Sequence, residues 1–211
     1  MTTRVKICGL STQETMQAAL DAGAEMIGLV FFAKSPRNVS LEQAAALASQ
    51  ARGRAKIVAL TVDADDALVK AIIHATRPDY IQAHGSETPE RVAEITAKSG
   101  VPVIKAIKVK ETADVASAKA FTDVAAFCLF DAKAPEDLLP GGNGLSFDWN
   151  LLKGKDGQFM LSGGLNPENV AGAIRLTRAP MVDVSSGVES TPGKKDISLI
   201  RSFIARAKAA S

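Results

Sequence analysis

Aromatic residues are scarce in this chain, with one Trp, one Tyr and eight Phe among 211 residues. Ala, Val, Ile and Leu supply most of the apolar bulk instead. That composition favours helices packed closely on buried strands over a β-sandwich. Cysteine is scarcer still. Cys8 and Cys128 are the only two, too few for a disulfide framework and suited to a reducing cytoplasm. No apolar run reaches the roughly 20 residues that span a bilayer. The first residues, Met-Thr-Thr-Arg, lead straight into a strand-like segment without the apolar stretch of a signal peptide. A cytoplasmic location is therefore expected, with no membrane as a partner. Net charge is only +2, and both signs are scattered without a basic block, so nucleic acid is not an expected partner. Neither H-E-x-x-H nor C-x-x-C occurs, and no metal is expected. The first strand is followed by Gly9-Leu10-Ser11 and not by G-x-G-x-x-G, which argues against a dinucleotide-binding sheet.

What the chain does have is alternation. Short Val- and Ile-rich runs at 4–8, 26–31, 56–62, 80–83, 102–107, 125–130, 159–162 and 181–184 read as eight strands. Helices with readable starts lie between them. Ser11 with Glu14 and Ser40 with Gln43 match a capping box. Thr88-Pro89 and Asn166-Pro167 pair a cap with proline at the first helical position. Asp196 opens the last helix, whose Ile197, Ile200, Phe203 and Ile204 recur along one face. Gly23 and Gly100 stand where left-handed C-caps belong. Strand and helix in turn, about every 25 residues, imply parallel pairing through right-handed crossovers. Eight such units close a barrel and leave no sheet edge. The expected fold is one α/β domain over 1–211, a parallel (β/α)₈ barrel; an open doubly wound sheet is the alternative. The longest irregular stretch, 131–146, carries Pro135, Pro140, Gly141, Gly142 and Gly144, and a long loop in a compact barrel is often functional.

In such a barrel the active site lies at the C-terminal ends of the strands. Alternation along strand one turns Lys6 and Cys8 into the barrel and Val5 and Ile7 towards the helices. Strand six ends at Asp131, which shares a face with Phe127 and Leu129, while Cys128 points outward. Cys8 and Asp131 are thus candidates for the mouth. Position alone also allows Cys8 to be a small buried hydrophobe and Asp131 a turn cap; Cys128 reads as core. Strand seven runs into Ser162-Gly163-Gly164-Leu165-Asn166, and strand eight into Ser185-Ser186-Gly187-Val188-Glu189. Barrels frequently bind phosphate in those two loops, where glycines let backbone N–H groups approach its oxygens. The bland reading is tight turns. Arg37, in Ser35-Pro36-Arg37-Asn38, can grip a carboxylate through two parallel hydrogen bonds or stand solvated. His84, after strand four, could bond a neighbouring strand or act in proton transfer, and the structural role is favoured; His74, inside a helix, reads as structural.

These segments together resemble the phosphoribosylanthranilate isomerase family of tryptophan biosynthesis. Lys6-Ile7-Cys8-Gly9 is similar to its opening signature, 31–37 (FFAKSPR) to its second-strand loop and Gln82-Ala83-His84-Gly85 to its fourth. Phe130-Asp131, 140–144 (PGGNG) with 147–149 (FDW), 161–165 (LSGGL) and 183–189 (DVSSGVE) complete the series in order, over nearly the whole chain. Ala83 departs from the family's usual Leu, which bears on packing. The resemblance implies an Amadori rearrangement of a phosphorylated aminoaldose to an aminoketose without a cofactor. It implies Asp131 as the general acid at the furanose oxygen and Cys8 as the general base at ribose C2. Arg37 would hold the anthranilate carboxylate, the backbone around Gly163, Gly164, Ser186 and Gly187 the phosphate, and Asp183 sugar hydroxyls. A thiol acts as a base only as thiolate, so Lys6 or nearby helix N-termini would have to lower the pKa of Cys8. The expected partner is the small phosphorylated substrate, with the chain a monomer or a homodimer. Two related barrels fit less well: an indole-glycerol-phosphate synthase needs a catalytic lysine and extra N-terminal residues, and a histidine-pathway isomerase an Asp where Cys8 stands. A silent metabolite-binding barrel would not need the Cys8 and Asp131 pair.

Overall fold

The structure, a computed structural model, describes residues 2–133, 135 and 141–210. Its eight major strands are β1 (Arg4–Cys8), β2 (Met26–Phe31), β3 (Lys56–Thr61), β4 (Tyr80–Ala83), β5 (Val103–Val109), β6 (Phe127–Ala132), β7 (Phe159–Leu161) and β8 (Met181–Val184). They pair in parallel in sequence order, and β1 closes on β8 through Val5↔Val182 and Lys6↔Asp183. The expected (β/α)₈ barrel is the observed fold. A short antiparallel hairpin, β9 (Glu189–Thr191) and β10 (Lys194–Lys195), follows β8.

The strands are buried on both faces, which is why they read as continuous apolar runs. Inside, Met26, Val58, Ile104, Leu129, Met160 and Met181 fill the floor, with Cys8, Val30 and Leu60 above them. Outside, Val5, Ile7, Ile27, Phe130 and Phe159 pack under the helices. The helices are α1 (Gln13–Asp21), α2 (Leu41–Ala51), α3 (Asp66–Thr76), α4 (Pro89–Ser99), α5 (Thr112–Ser117), α6 (Val170–Thr177) and α7 (Ile197–Ala209). Between β6 and β7 the described residues form only a 3₁₀ turn, Trp149–Leu152.

Several boundaries move. The β5–β6 ladder runs from Ile104↔Phe127 to Val109↔Ala132, so β5 is longer than expected and Asp131 lies within β6. The cap of α1 is Thr12, not Ser11: its hydroxyl accepts from the Thr15 N–H. Ser40, Thr88 and Asp196 cap as expected. Asn166 instead caps a turn, accepting from the N–H groups of Glu168 and Asn169, and α6 starts after it. Gly100 ends α4 at φ 69°. Pro140 lies outside the described residues.

Candidate active site

A cavity of about 720 Å³ opens at the C-terminal ends of the strands. Cys8, Arg37, His84, Asp131, Gly164, Asp183, Ser186 and Gly187 all line it. Gly163 lies just behind, in a small recess that Asp131, Gly164 and Ser186 also line. The chain thus brings together residues up to 179 positions apart.

Cys8 ends β1, buried, with its sulfur over β2. It pairs with Gly28, and a Cβ there would stand 2.8 Å from the Cys8 Sγ and 3.1 Å from the Lys6 Nζ. Bare backbone at Gly28 makes the room both side chains occupy. Lys6 is fully buried and donates to Asp183 Oδ1 at 2.9 Å; Asp183 Oδ2 accepts from the Ser162 hydroxyl at 3.2 Å. Burial pulls the Lys6 ammonium down, but Asp183 and then Cys8 outweigh it, and Lys6 stays protonated more firmly than an ordinary lysine. Cys8 goes the opposite way from the expected activation. Burial pushes its thiol above the usual value, Lys6 only partly offsets this, and Asp183 adds to the push. The ammonium expected to activate the thiol is shared with a carboxylate, which leaves Cys8 a weaker acid than an ordinary thiol.

Asp131 projects from β6 into the cavity. Its Oδ1 accepts from the Ala132 N–H at 2.9 Å and its Oδ2 meets His84 Nε2 at 3.1 Å. His84 lines the same cavity and touches the candidate acid. Its Nδ1 meets the Gln82 amide at 2.8 Å. Gln82 Oε1 is buried without a partner, so the amide nitrogen, donating to Nδ1, leaves the ring proton on Nε2, facing Asp131. Gly141, at φ 76°, covers the pair; a Cβ there would come within 2.8 Å of His84 Nε2.

Arg37 is buried in the wall rather than solvated. Nε and Nη2 form a fork on Glu189, both bonds 2.8 Å, and Nη2 also reaches the Gly142 carbonyl at 3.0 Å. The fork expected to be open to a ligand is half taken, and Nη1 is the edge that remains. After β7, beside Asp131, Gly163 and Gly164 have φ of 81° and 67°, a conformation open to glycine at little cost. A Cβ on Gly187 would overlap the Leu165 carbonyl, so the β7 and β8 loops interlock through bare backbone. Sequence reasoning gave no role to Gly28, Ser162, Glu189 or Lys195. Glu189 stands within a quoted motif, but its partner Arg37 is 152 residues away. Among the described residues no group of three or more His, Cys, Asp or Glu is placed to hold a metal ion.

Comparison with known proteins agrees with this geometry. A family model described as N-(5'phosphoribosyl)anthranilate (PRA) isomerase matches residues 5–206. The N-(5'-phosphoribosyl)anthranilate isomerase of Bradyrhizobium sp. (strain ORS 278) is 54% identical over 213 residues, covering 100% of this chain and 97% of its own. The crystal structure of phosphoribosyl anthranilate isomerase from Thermotoga maritima is 35% identical with a TM-score of 0.88, covering 98% of this chain and 99% of that one. A crystal structure of the isomerase in complex with reduced 1-(o-carboxyphenylamino)-1-deoxyribulose 5-phosphate is 33% identical with a TM-score of 0.85, over 98% of this chain and 99% of the other.

Proposed function

The chain belongs to the N-(5'-phosphoribosyl)anthranilate isomerase family, and from that premise we propose how its own residues carry the reaction. The activity is the family's isomerisation of N-(5'-phosphoribosyl)anthranilate, an aminoaldose, to 1-(2-carboxyphenylamino)-1-deoxyribulose 5-phosphate, in tryptophan biosynthesis.

Asp131 is the general acid. It gives a proton to the furanose oxygen as the C1–O bond breaks, and the anthranilate nitrogen supplies its lone pair to form a Schiff base. Cys8, as thiolate, takes the proton from C2, and the electron pair moves to give an enolamine. Tautomerisation adds a proton at C1 while the C2 hydroxyl gives up its own, so the thiol and Asp131 both return to their starting states and the ketone results. Arg37 Nη1 takes the anthranilate carboxylate. The backbone at Gly163, Gly164, Ser186 and Gly187 takes the phosphate, and this remote anchoring fixes the reacting carbons. Asp183, while tied to Lys6, meets sugar hydroxyls. No step calls for a cofactor, since side chains supply both proton transfers.

One observation carries this reading: Cys8 and Asp131, at the ends of β1 and β6, line one cavity, and the glycine loops after β7 and β8 line the wall between them. Anthranilate fluorescence during turnover tests it. Cys8→Ala should lose about 10²–10⁴-fold in rate, the usual worth of a general base, and Asp131→Asn should nearly abolish turnover while still binding ligand. A loss under about threefold in Cys8→Ala returns the thiol to the core, and wild-type kcat in Asp131→Asn removes that acid from the chemistry.

No helix among the described residues is long and apolar enough to cross a membrane. We place the enzyme in the cytoplasm, with its phosphorylated substrate as partner, as a monomer or homodimer.

A further inference from the structure

Glu189 is the most heavily engaged carboxylate at the mouth. Its Oε1 accepts from Arg37 Nε and, at 2.6 Å, from Lys195 Nζ; its Oε2 accepts from Arg37 Nη2 and, at 3.1 Å, from the Gly193 N–H. The Glu189 and Lys195 side chains are 3% and 1% exposed. Burial pushes the Glu189 carboxyl up, but Arg37 and Lys195 win and hold it below the usual carboxylate range. Lys195 also donates to the Ser185 carbonyl at 2.9 Å, one residue before the phosphate loop. Glu189 and Lys195 are direct cross-strand partners in the β9–β10 hairpin. Gly193, in the turn of that hairpin, lies against the Pro36 carbonyl, where a Cβ would come within 2.7 Å. The hairpin therefore packs on the same loop that carries Arg37.

A guanidinium has five N–H groups. Glu189 takes one from Nε and one from Nη2, and Gly142 takes the other from Nη2. Among the described residues two remain without a partner, both on Nη1. The fork thus fixes which edge a ligand meets. The charges point the same way. Arg37 and Lys195 against Glu189 leave one positive charge unbalanced beside the cavity while Lys195 is protonated, and one bound carboxylate neutralises it. Without Glu189 two buried cations would face each other, and the guanidinium would lose the contact that sets its plane.

We propose that Glu189 is a positioning residue that aims Arg37 and so sets selectivity for a substrate carrying a carboxylate on its aromatic ring. It acts through Arg37 and touches no substrate atom. The assignment rests on Arg37 being the carboxylate-binding group. Two ligands test it: reduced 1-(o-carboxyphenylamino)-1-deoxyribulose 5-phosphate, and its phenylamino counterpart without the carboxyl. Kd for each is measured by calorimetry on the wild type and on Glu189→Gln. The wild type should prefer the carboxylated ligand by more than about 10-fold, the worth of one charge-assisted contact. In Glu189→Gln that ratio should fall below about threefold, with the uncharged ligand bound nearly as before. A wild-type ratio near one overturns the role of Arg37 itself. A normal wild-type ratio that survives in Glu189→Gln overturns Glu189 alone, as does equal weakening of both ligands. Should Glu189→Gln not fold, Glu189→Asp keeps the charge but draws it back by one methylene. Its ratio should fall as well, and an unaltered one overturns the proposal.

Discussion

At the scale of single residues, Cys8 has to act as a base from a thiol that burial makes a weaker acid than usual. Lys6 is the nearest help, yet its ammonium lies 2.9 Å from Asp183. A raised value means that the neutral thiol persists through the ordinary range around 9.0 and that thiolate accumulates only as pH climbs further. Iodoacetamide alkylation of the free enzyme, in a Cys128→Ser background, should therefore stay slow at neutral pH and accelerate only at alkaline pH. Lys6→Met removes the positive neighbour and strands Asp183, so its alkylation midpoint should move higher still. A midpoint below that of the wild type would show that Lys6 does not help to ionise Cys8. Asp131 is likewise held by a neighbour. Its Oδ2 faces the Nε2 of His84, whose ring is oriented by Gln82.

At the scale of elements, the mouth is built by register. Cys8 pairs with Gly28, and the Lys6 and Cys8 side chains can sit over β2 at this point only because Gly28 is bare. Gly28→Ala puts a methyl 2.8 Å from the sulfur and 3.0 Å from the Cys8 Cα. Relief has to come from backbone, so it should cost about 1–3 kcal/mol, as overpacking does, and displace the sulfur. Thermal unfolding and kcat measured together check this; wild-type values in both would show that β1 and β2 have slack. The strands were legible because parallel strands are buried on both faces, and the period of two placed Cys8 and Asp131 inside and Cys128 outside. The caps at Ser40, Thr88 and Asp196 were legible because their partners lie three residues away. The ion pairs were not. Lys6 meets Asp183 across 177 residues and Arg37 meets Glu189 across 152; no local pattern encodes such contacts, so neither the share of the Arg37 fork held by Glu189 nor the share of the Lys6 ammonium held by Asp183 could be read from the sequence.

At the scale of the whole molecule, stability is tied to buried carboxylates that hold the loops above the barrel. Glu87 binds Lys105 Nζ at 2.8 Å and accepts from the N–H groups of Asp63 and Gly85, so it fixes the β4 loop that carries His84. Burial pushes its carboxyl up, but Lys105 and the N–H groups of Asp63 and of Glu87 itself bring it below the usual glutamate value. Glu189 is depressed in the same way by Arg37 and Lys195. A carboxylate whose value is lowered on folding adds stability above its unfolded value, about 4.5 here, and loses it as pH falls through the lower folded value. Wild-type stability, followed as urea midpoints from neutral to acid pH, should hold near neutrality and drop steeply below pH 4.5. Glu87→Gln leaves Lys105 as a buried charge without its partner, which costs about 3–5 kcal/mol near neutrality. The variant also has one proton fewer to take up on acid unfolding, so its curve should be lower at neutral pH and shallower in acid. Two curves of equal acid slope would mean that Glu87 binds its proton equally in both states, and the barrel's acid sensitivity would then have to come from other carboxylates.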